Sequence, residues 1–285
     1  MLQRAAGLDA AELAALADLE RRVVAVDGGR LKLEWATLRS RTGDGVEDLL
    51  WWDGDQLVGF LGLYSFGAPA VELAGAVDPS RRRRGIATAL VDAALSVCRE
   101  RGHGPVLLVT ARTGAGGREF ALRRGGELDH SEHAMELTRE PADGPTDVRT
   151  TIRPFDPARD AEAVGALLLA GFGWRPPAGE LSQHRDGTLV VERDGDVVAT
   201  VAVTRDDPGD VGVFGLVVRE HLQGRGIGRD VLRRVCRQAG AGGAGRVHLD
   251  VAVGNDRALG LYTSLGFVPV ATEDYFALPA AADLR

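Results

Sequence analysis

Apolar positions along the chain change period several times, and each change marks an element. Leu13, Leu16, Leu19 and Val23 recur at helical spacing behind Asp9, an N-cap residue, which predicts a helix from Ala10. Asp27-Gly28-Gly29 breaks it, and a second helix is expected over 31–39. Residues 49–52 and 56–64 read as strands joined by the tight turn Asp53-Gly54-Asp55. A strand over 71–77 leads into an arginine-rich loop, and a helix over 86–101 follows. Then come a strand over 106–110, a helical stretch over 118–123 and a closing strand over 134–137. Residues 141–146 hold two prolines and a glycine without periodicity and read as a linker. The same order then returns: a helix over 161–169, strands over 188–192 and 197–204, and a central strand over 211–218. After it come a helix over 227–239, a strand over 247–253, a helix over 256–264 and a last strand over 268–278.

The return is a repeat. Arg82-Arg83-Arg84-Gly85-Ile86-Ala87 and Gln223-Gly224-Arg225-Gly226-Ile227-Gly228 lie 141 positions apart (223 against 82). The turns at Gly54 and Gly195 and the glycines Gly125 and Gly266 keep that offset. Three landmarks in one gapless register indicate a duplication. The expected organisation is a domain over 1–140, a linker over 141–147 and a domain over 148–285, each of ordinary size for one core. The expected class is α/β, with a mixed, mostly antiparallel sheet flanked by helices.

Charge and composition narrow the partners. The net charge of −7 argues against nucleic acid or an anionic membrane as the main partner, and the cluster Arg81–Arg84 is local. No apolar run approaches the roughly 20 residues needed to span a bilayer. Residues 1–7 lack the apolar run of a signal peptide. Cys98 and Cys236 fall in helical patterns of different repeats and read as reduced, buried thiols. These readings point to a cytoplasmic protein.

A strand that ends in a Gly-rich turn and opens a helix is an anion site, because the helix N-terminus offers unpaired N–H groups and about half a positive charge. Gly224, Gly226 and Gly228 let the backbone close on a pyrophosphate. The pattern is neither Gly-x-Gly-x-x-Gly nor a P-loop, and the hairpins do not fit a parallel dinucleotide-binding sheet. The second copy continues with Leu249-Asp250-Val251, Asn255, Ala258, Leu261-Tyr262 and Leu265-Gly266-Phe267.

That constellation resembles the GNAT family of acyl-CoA-dependent N-acetyltransferases, over about 149–278 and more loosely over 8–138. The resemblance implies two tandem GNAT-like domains, acetyl-CoA as co-substrate and no metal. It implies that Gln223, Gly224, Arg225, Gly226, Ile227, Gly228 and Arg229 bind the pyrophosphate. It further implies that Leu216, Val217 and Val218 hydrogen-bond the pantetheine and thioester, that Asn255 holds the pantetheine or a water near it, and that Tyr262 protonates the departing thiolate. A core aromatic on an amphipathic helix is the competing reading of Tyr262. In the first copy Arg82, Gly85 and Ala87 keep a phosphate loop, but Ala121, Gly114 and Gly126 stand at the offset positions of Tyr262, Asn255 and Phe267. The N-terminal domain is therefore expected to be degenerate and to help shape the acceptor site.

Many family members carry a Glu base on the central strand, eleven positions before the loop Gln; here that position is Gly212. Asp210, two residues earlier on the same face, is the expected substitute, with His248 and Asp250 as further candidates. A solvated surface role competes with each, and the base stays open. A degenerate first half before an active second half resembles mycothiol synthases, which acetylate a cysteinyl amine on a glucosaminyl-inositol. The likeness lies in Ala25-Val26-Asp27-Gly28 with Glu34 downstream, where the resemblance implies an acceptor contact, and in the ending from Gly266 to Leu278. Gly212 and a short stretch over 172–177 depart from it. The expected function is acetyl transfer from acetyl-CoA to a primary amine of a small molecule, by the C-terminal domain. Mycothiol synthesis proper and a non-catalytic acyl-CoA sensor are the alternatives, and monomer and homodimer are both open.

Overall fold

The computed structural model describes residues 1–43, 45–66, 69–176, 187–206 and 209–279. They divide into two units, Met1–Glu132 with Ala271–Arg285, and His133–Val270. Pro177, the end of the short stretch singled out above, lies outside the described residues.

The first unit holds β1 (Leu2–Ala5), α1 (Ala10–Asp27), α2 (Trp35–Ser40), β2 (Asp48–Asp53), β3 (Gln56–Tyr64) and β4 (Val71–Val77). It continues with α3 (Ile86–Glu100), β5 (Val106–Ala111), α4 (Ala115–Arg123) and the start of β6 (Glu127–Leu137). The second holds the rest of β6, β7 (Thr150–Pro154), α5 (Pro157–Phe172), β8 (Thr188–Arg193), β9 (Asp196–Asp206) and β10 (Asp210–Val218). After these come α6 (Ile227–Ala241), β11 (Arg246–Ala252), α7 (Asp256–Ser264) and the start of β12 (Phe267–Leu278), whose second half belongs to the first unit.

Strand order is β1-β2-β3-β4-β5-β12-β6 in the first unit and β12-β6-β11-β10-β9-β8-β7 in the second. The pairs β4–β5 and β10–β11 are parallel, while β1–β2, β2–β3, β3–β4, β7–β8, β8–β9 and β9–β10 are antiparallel. This is the mixed, mostly antiparallel α/β class expected. Strand β12 contributes to the core of each unit, and β6 to that of the second. Phe276 and Leu278 of β12 are buried in the first unit, while Phe267 of β12 and Met135 of β6 are buried in the second. Burying one such side chain is worth about 1.5–3 kcal/mol.

The sequence reading missed the edge strands β1 and β7, which are four and five residues long and half polar. It began β6 seven residues late, because Glu127–Glu132 shows no apolar alternation. Polar pairs hold that half instead: Ser131 Oγ donates to Asp274 Oδ1 (2.8 Å) and Tyr275 OH to Glu132 Oε2 (2.6 Å). Helix α1 starts where expected, with Asp9 and Glu12 forming a reciprocal capping box. Cys98 and Cys236 are free and buried, and burial pushes the Cys236 thiol up to about 12.

The gapless offset does not hold structurally before β10. The first hairpin turns at Gly54-Asp55, between the paired Asp53 and Gln56, and the second at Asp194-Gly195, between Arg193 and Asp196. The turns are therefore 140 positions apart (194 against 54), not 141. The offset becomes 141 through one residue added in β10. Phe214 pairs with Ala202 but Val217 with Thr200, so one extra residue bulges at Gly215-Leu216. In β4 the pairing with β3 runs from Gly59↔Val77 to Tyr64↔Glu72 without a break.

Candidate active site

The parallel ladder of β10 and β11 ends at the pair Gly212↔His248. Beyond it the two strands splay, and β10 from Val213 to Val218 keeps β9 as its ladder partner. Gly215 takes a left-handed φ of 60°, which a residue without Cβ accepts at little cost. The bulge takes Gly215-Leu216 out of the β9 ladder, which resumes at Val217↔Thr200 and Val218↔Ala199, past the last β10–β11 pair.

From Val218 the chain passes one turn of 3₁₀ helix, Glu220–Leu222, and enters the loop. Gln223 Nε2 donates to Val218 O (2.8 Å), tying the loop to the strand end. Gly224 and Gly226 both have left-handed φ, 75° and 85°, and Gly226 is the N-cap of α6. No atom lies within 4 Å of where a Cβ on Gly226 would stand, so the cradle is open there. Behind the loop Ile227 is buried, and a Cβ on Gly228 would lie 3.4 Å from Val218 Cγ2 and 3.8 Å from Leu261 Cδ2. Strand end, loop and α7 therefore meet at one point. Arg225 and Arg229 are exposed beside it.

Helix α7 is placed by Asn255, whose Oδ1 accepts from Ala258 N (3.1 Å). The Asn thus caps the helix rather than reaching forward with its oxygen, leaving its amide N–H groups for a ligand. Two turns on, Tyr262 packs against the core of the second unit, with its ring 6.1 Å from that of Phe267. Burial raises the Tyr262 pKa above the ordinary 10, which keeps the phenol protonated through neutral pH. A cleft of about 860 Å³ opens between α5 and the end of β10. Ala163, Ala166, Ala170 and Gly171 line it from the helix, Val217 and Val218 from the strand, and Gln223 from the loop. Those small residues at i, i+3, i+7 and i+8 leave the space open. A Cβ on Gly171 would press to 2.6 Å from Val217.

The expected residues Leu216, Val217, Val218, Gln223, Gly224, Arg225, Gly226, Ile227, Gly228, Arg229, Asn255 and Tyr262 lie on these connected elements of one unit. Asp210 stands elsewhere, at the far end of β10. Arg246 Nε and Nη2 hold its Oδ2 at 2.9 and 2.5 Å, and Arg246 also reaches Glu136 (3.0 Å). His248 sits at the splay point, edge-on to Phe214 with ring centroids 6.1 Å apart. The same Phe214 accounts for Gly212, since a Cβ there would overlap its ring and approach Thr204 Oγ1. Three features escaped the sequence reading: this aromatic cover, the small-residue face of α5, and Arg257. Spacing along α5 was a readable signal for the second. Nothing in sequence marks the other two.

The residues expected in the first copy belong to the other unit. Gly85 is the left-handed N-cap of α3 (φ 82°). Arg82 Nε donates to Val77 O (3.2 Å), as Gln223 does to Val218, but both of its Nη atoms are held by Asp27 (2.9 and 2.5 Å). Ala87 lies in the first turn of α3, and Glu34 is the N-cap of α2. Ala121 is fully buried in the first core.

Among the described residues no cluster of acidic, His and Cys side chains is placed to hold a metal, and no helix is long and apolar enough to cross a membrane. Comparison with known proteins adds the following. The acetyltransferase (GNAT) family model matches residues 16–125 and again 152–267. A mycothiol acetyltransferase of Thermobispora bispora is 32% identical over 267 residues, covering 85% of this chain and 87% of the relative. The one from Kineococcus radiotolerans is 31% identical, covering 88% of each. Among solved structures, a GCN5-related N-acetyltransferase from Sphaerobacter thermophilus superposes with a TM-score of 0.80 at 20% identity, over 97% of this chain and 94% of that one. A tandem GNAT protein from the clavulanic acid biosynthesis pathway gives 0.72 at 18% identity, over 99% and 98%. With the family pattern matched in both halves, the chain belongs to the GNAT acetyltransferase family, in its tandem form.

Proposed function

We propose that the chain transfers an acetyl group from acetyl-CoA to a primary amine of a small molecule, with the chemistry in the second unit. One observation carries this reading: that unit alone combines a bulged, splayed central strand, an open Gly-rich loop and a protonated Tyr on the adjoining helix. The loop from Gln223 to Arg229 would hold the pyrophosphate through backbone N–H groups at the start of α6. Leu216, Val217 and Val218 would pair with the pantetheine, and a backbone N–H there would stabilise the oxyanion.

Bound acetyl-CoA supplies an activated thioester, whose C–S bond breaks as the amine forms its N–C bond. Tyr262 gives its phenolic proton to the departing thiolate. The amine must lose a proton, and His248, at the splay point, is better placed to take it than Asp210, which Arg246 engages. The names of the relatives make the acceptor of mycothiol acetylation the first amine to assay, ahead of amino sugars and amino acids. The test is thiol release from acetyl-CoA against a panel of amines. Amine-dependent release that disappears in Tyr262→Phe supports the reading, and none with any amine contradicts it.

A further inference from the structure

Arg257 belongs to no expected function, and the structure gives it a specific one. It lies in the first turn of α7, five residues before Tyr262. Its Nη1 donates to Gln223 Oε1 at 2.7 Å, while Gln223 Nε2 donates to Val218 O at 2.8 Å. A Cβ on Gly224 would lie 3.6 Å from Arg257 Nη2, so the guanidinium flanks the phosphate loop itself.

The amide of Gln223 has one donor end and one acceptor end. Val218 O accepts, so the donor end must face it, and the acceptor end then needs a donor opposite. Arg257 is that donor, and its charge makes the contact stronger than a neutral hydrogen bond. Without it the amide is free to flip, which would set oxygen against oxygen at Val218 and loosen the loop. At the matching offset the first unit has Gly116, and Arg82 is held by Asp27 instead. A surface polar contact of no consequence would not tie the strand end, the loop and the acid-bearing helix into one chain of hydrogen bonds.

We infer that Arg257 is a positioning residue: acting through Gln223, it sets the phosphate loop to receive a diphosphate-bearing acyl donor. This rests on the acetyl-transfer reading above. Both side chains are exposed, so their variants are expected to fold.

The experiment compares two donors, acetyl-CoA and S-acetylpantetheine, which lacks phosphates, in wild type, Arg257→Met, Gln223→Ala and the double variant. Arg257→Met should raise KM for acetyl-CoA roughly tenfold, the scale of one charge-assisted hydrogen bond. It should leave KM for S-acetylpantetheine unchanged. The double variant should be little worse than either single one, the signature of residues acting through each other. Equal losses with both donors, multiplicative losses in the double variant, or no change in Arg257→Met would each overturn the inference alone. No turnover of acetyl-CoA by wild type would instead sink the acetyl-transfer reading, and this inference with it.

Discussion

The two Gly-containing loops that open α3 and α6 share a backbone and differ in the partners of their side chains. Position 82 and position 223 each donate to the carbonyl that ends the central strand, and Gly85 and Gly226 open their helices with φ of 82° and 85°. Around the first loop the partners are acids. Asp27 occupies Arg82, and Asp78, held by Ser80 and Arg22, closes the strand end with its carboxyl below the ordinary range. Around the second, Arg219 stands at the offset position of Asp78 and Arg257 holds Gln223. The first loop also carries arginines, Arg81–Arg84, but Asp53 pairs with Arg81 and Asp27 with Arg82, whereas at the second loop Arg225 and Arg229 are exposed and Arg257 engages an uncharged amide.

The positions proposed for acid and base divide between the units as well. Gly212 pairs with Thr204, and its counterpart by hairpin register is Glu72, which pairs with Tyr64. Glu72 lies 3.6 Å from Lys32 in an ion pair. The first unit thus keeps a Glu on its central strand and has a buried Ala121 in place of the Tyr, while the second keeps Tyr262 and has a Gly in place of the Glu. Neither copy carries both.

The comparison breaks most directly at the helix-capping glycines. Gly226→Val, a β-branched residue forced to φ 85°, should weaken acetyl-CoA binding at least a hundredfold by calorimetry, whereas Gly85→Val should leave it almost unchanged. Equal losses would mean that both loops bind. Next, Tyr262→Phe should cut kcat more than tenfold with acetyl-CoA affinity intact. Because burial raises this pKa, the limb of the pH–rate profile that Tyr262 controls should fall only above pH 10 in wild type. A third test restores the missing carboxylate. Gly212→Glu should lower stability by about 1–3 kcal/mol without raising activity, since the Phe214 ring fills the site. Higher kcat in that variant would show the position to be available.

The smallest effect concerns strain. Arg83 holds the position of Gly224 with a left-handed φ of 61°. Arg83→Gly should therefore raise stability by up to about 1 kcal/mol in thermal unfolding, and Gly224→Ala should lower it by about as much. Identical responses would remove the strain distinction between the loops.

Most of this architecture is legible in sequence because its elements announce themselves. Asp9 and Glu12 mark a capped helix, and Gly224, Gly226 and Gly228 mark a backbone that must approach something closely. The loop, strand end, Asn255 and Tyr262 follow from the repeat register and the family pattern. The bulge at Gly215-Leu216 was hidden, because the Asp-Gly-Asp triplets match at 141 in sequence although the hairpin turns themselves stand 140 apart. Partnerships formed through space left no local trace either: Asp210 with Arg246, Phe214 over Gly212, and Arg257 with Gln223. Helix α2 begins at Trp35 rather than Leu31 for a similar reason, as Lys32 is drawn to Glu72, Glu132 and Tyr275.

The central claim is that one loop of two receives the acyl donor. Calorimetric titration of the whole chain with acetyl-CoA tests it through stoichiometry. One site per chain, abolished by Gly226→Val and retained in Gly85→Val, is the predicted result. Two sites, or one that survives Gly226→Val and is lost in Gly85→Val, would contradict it.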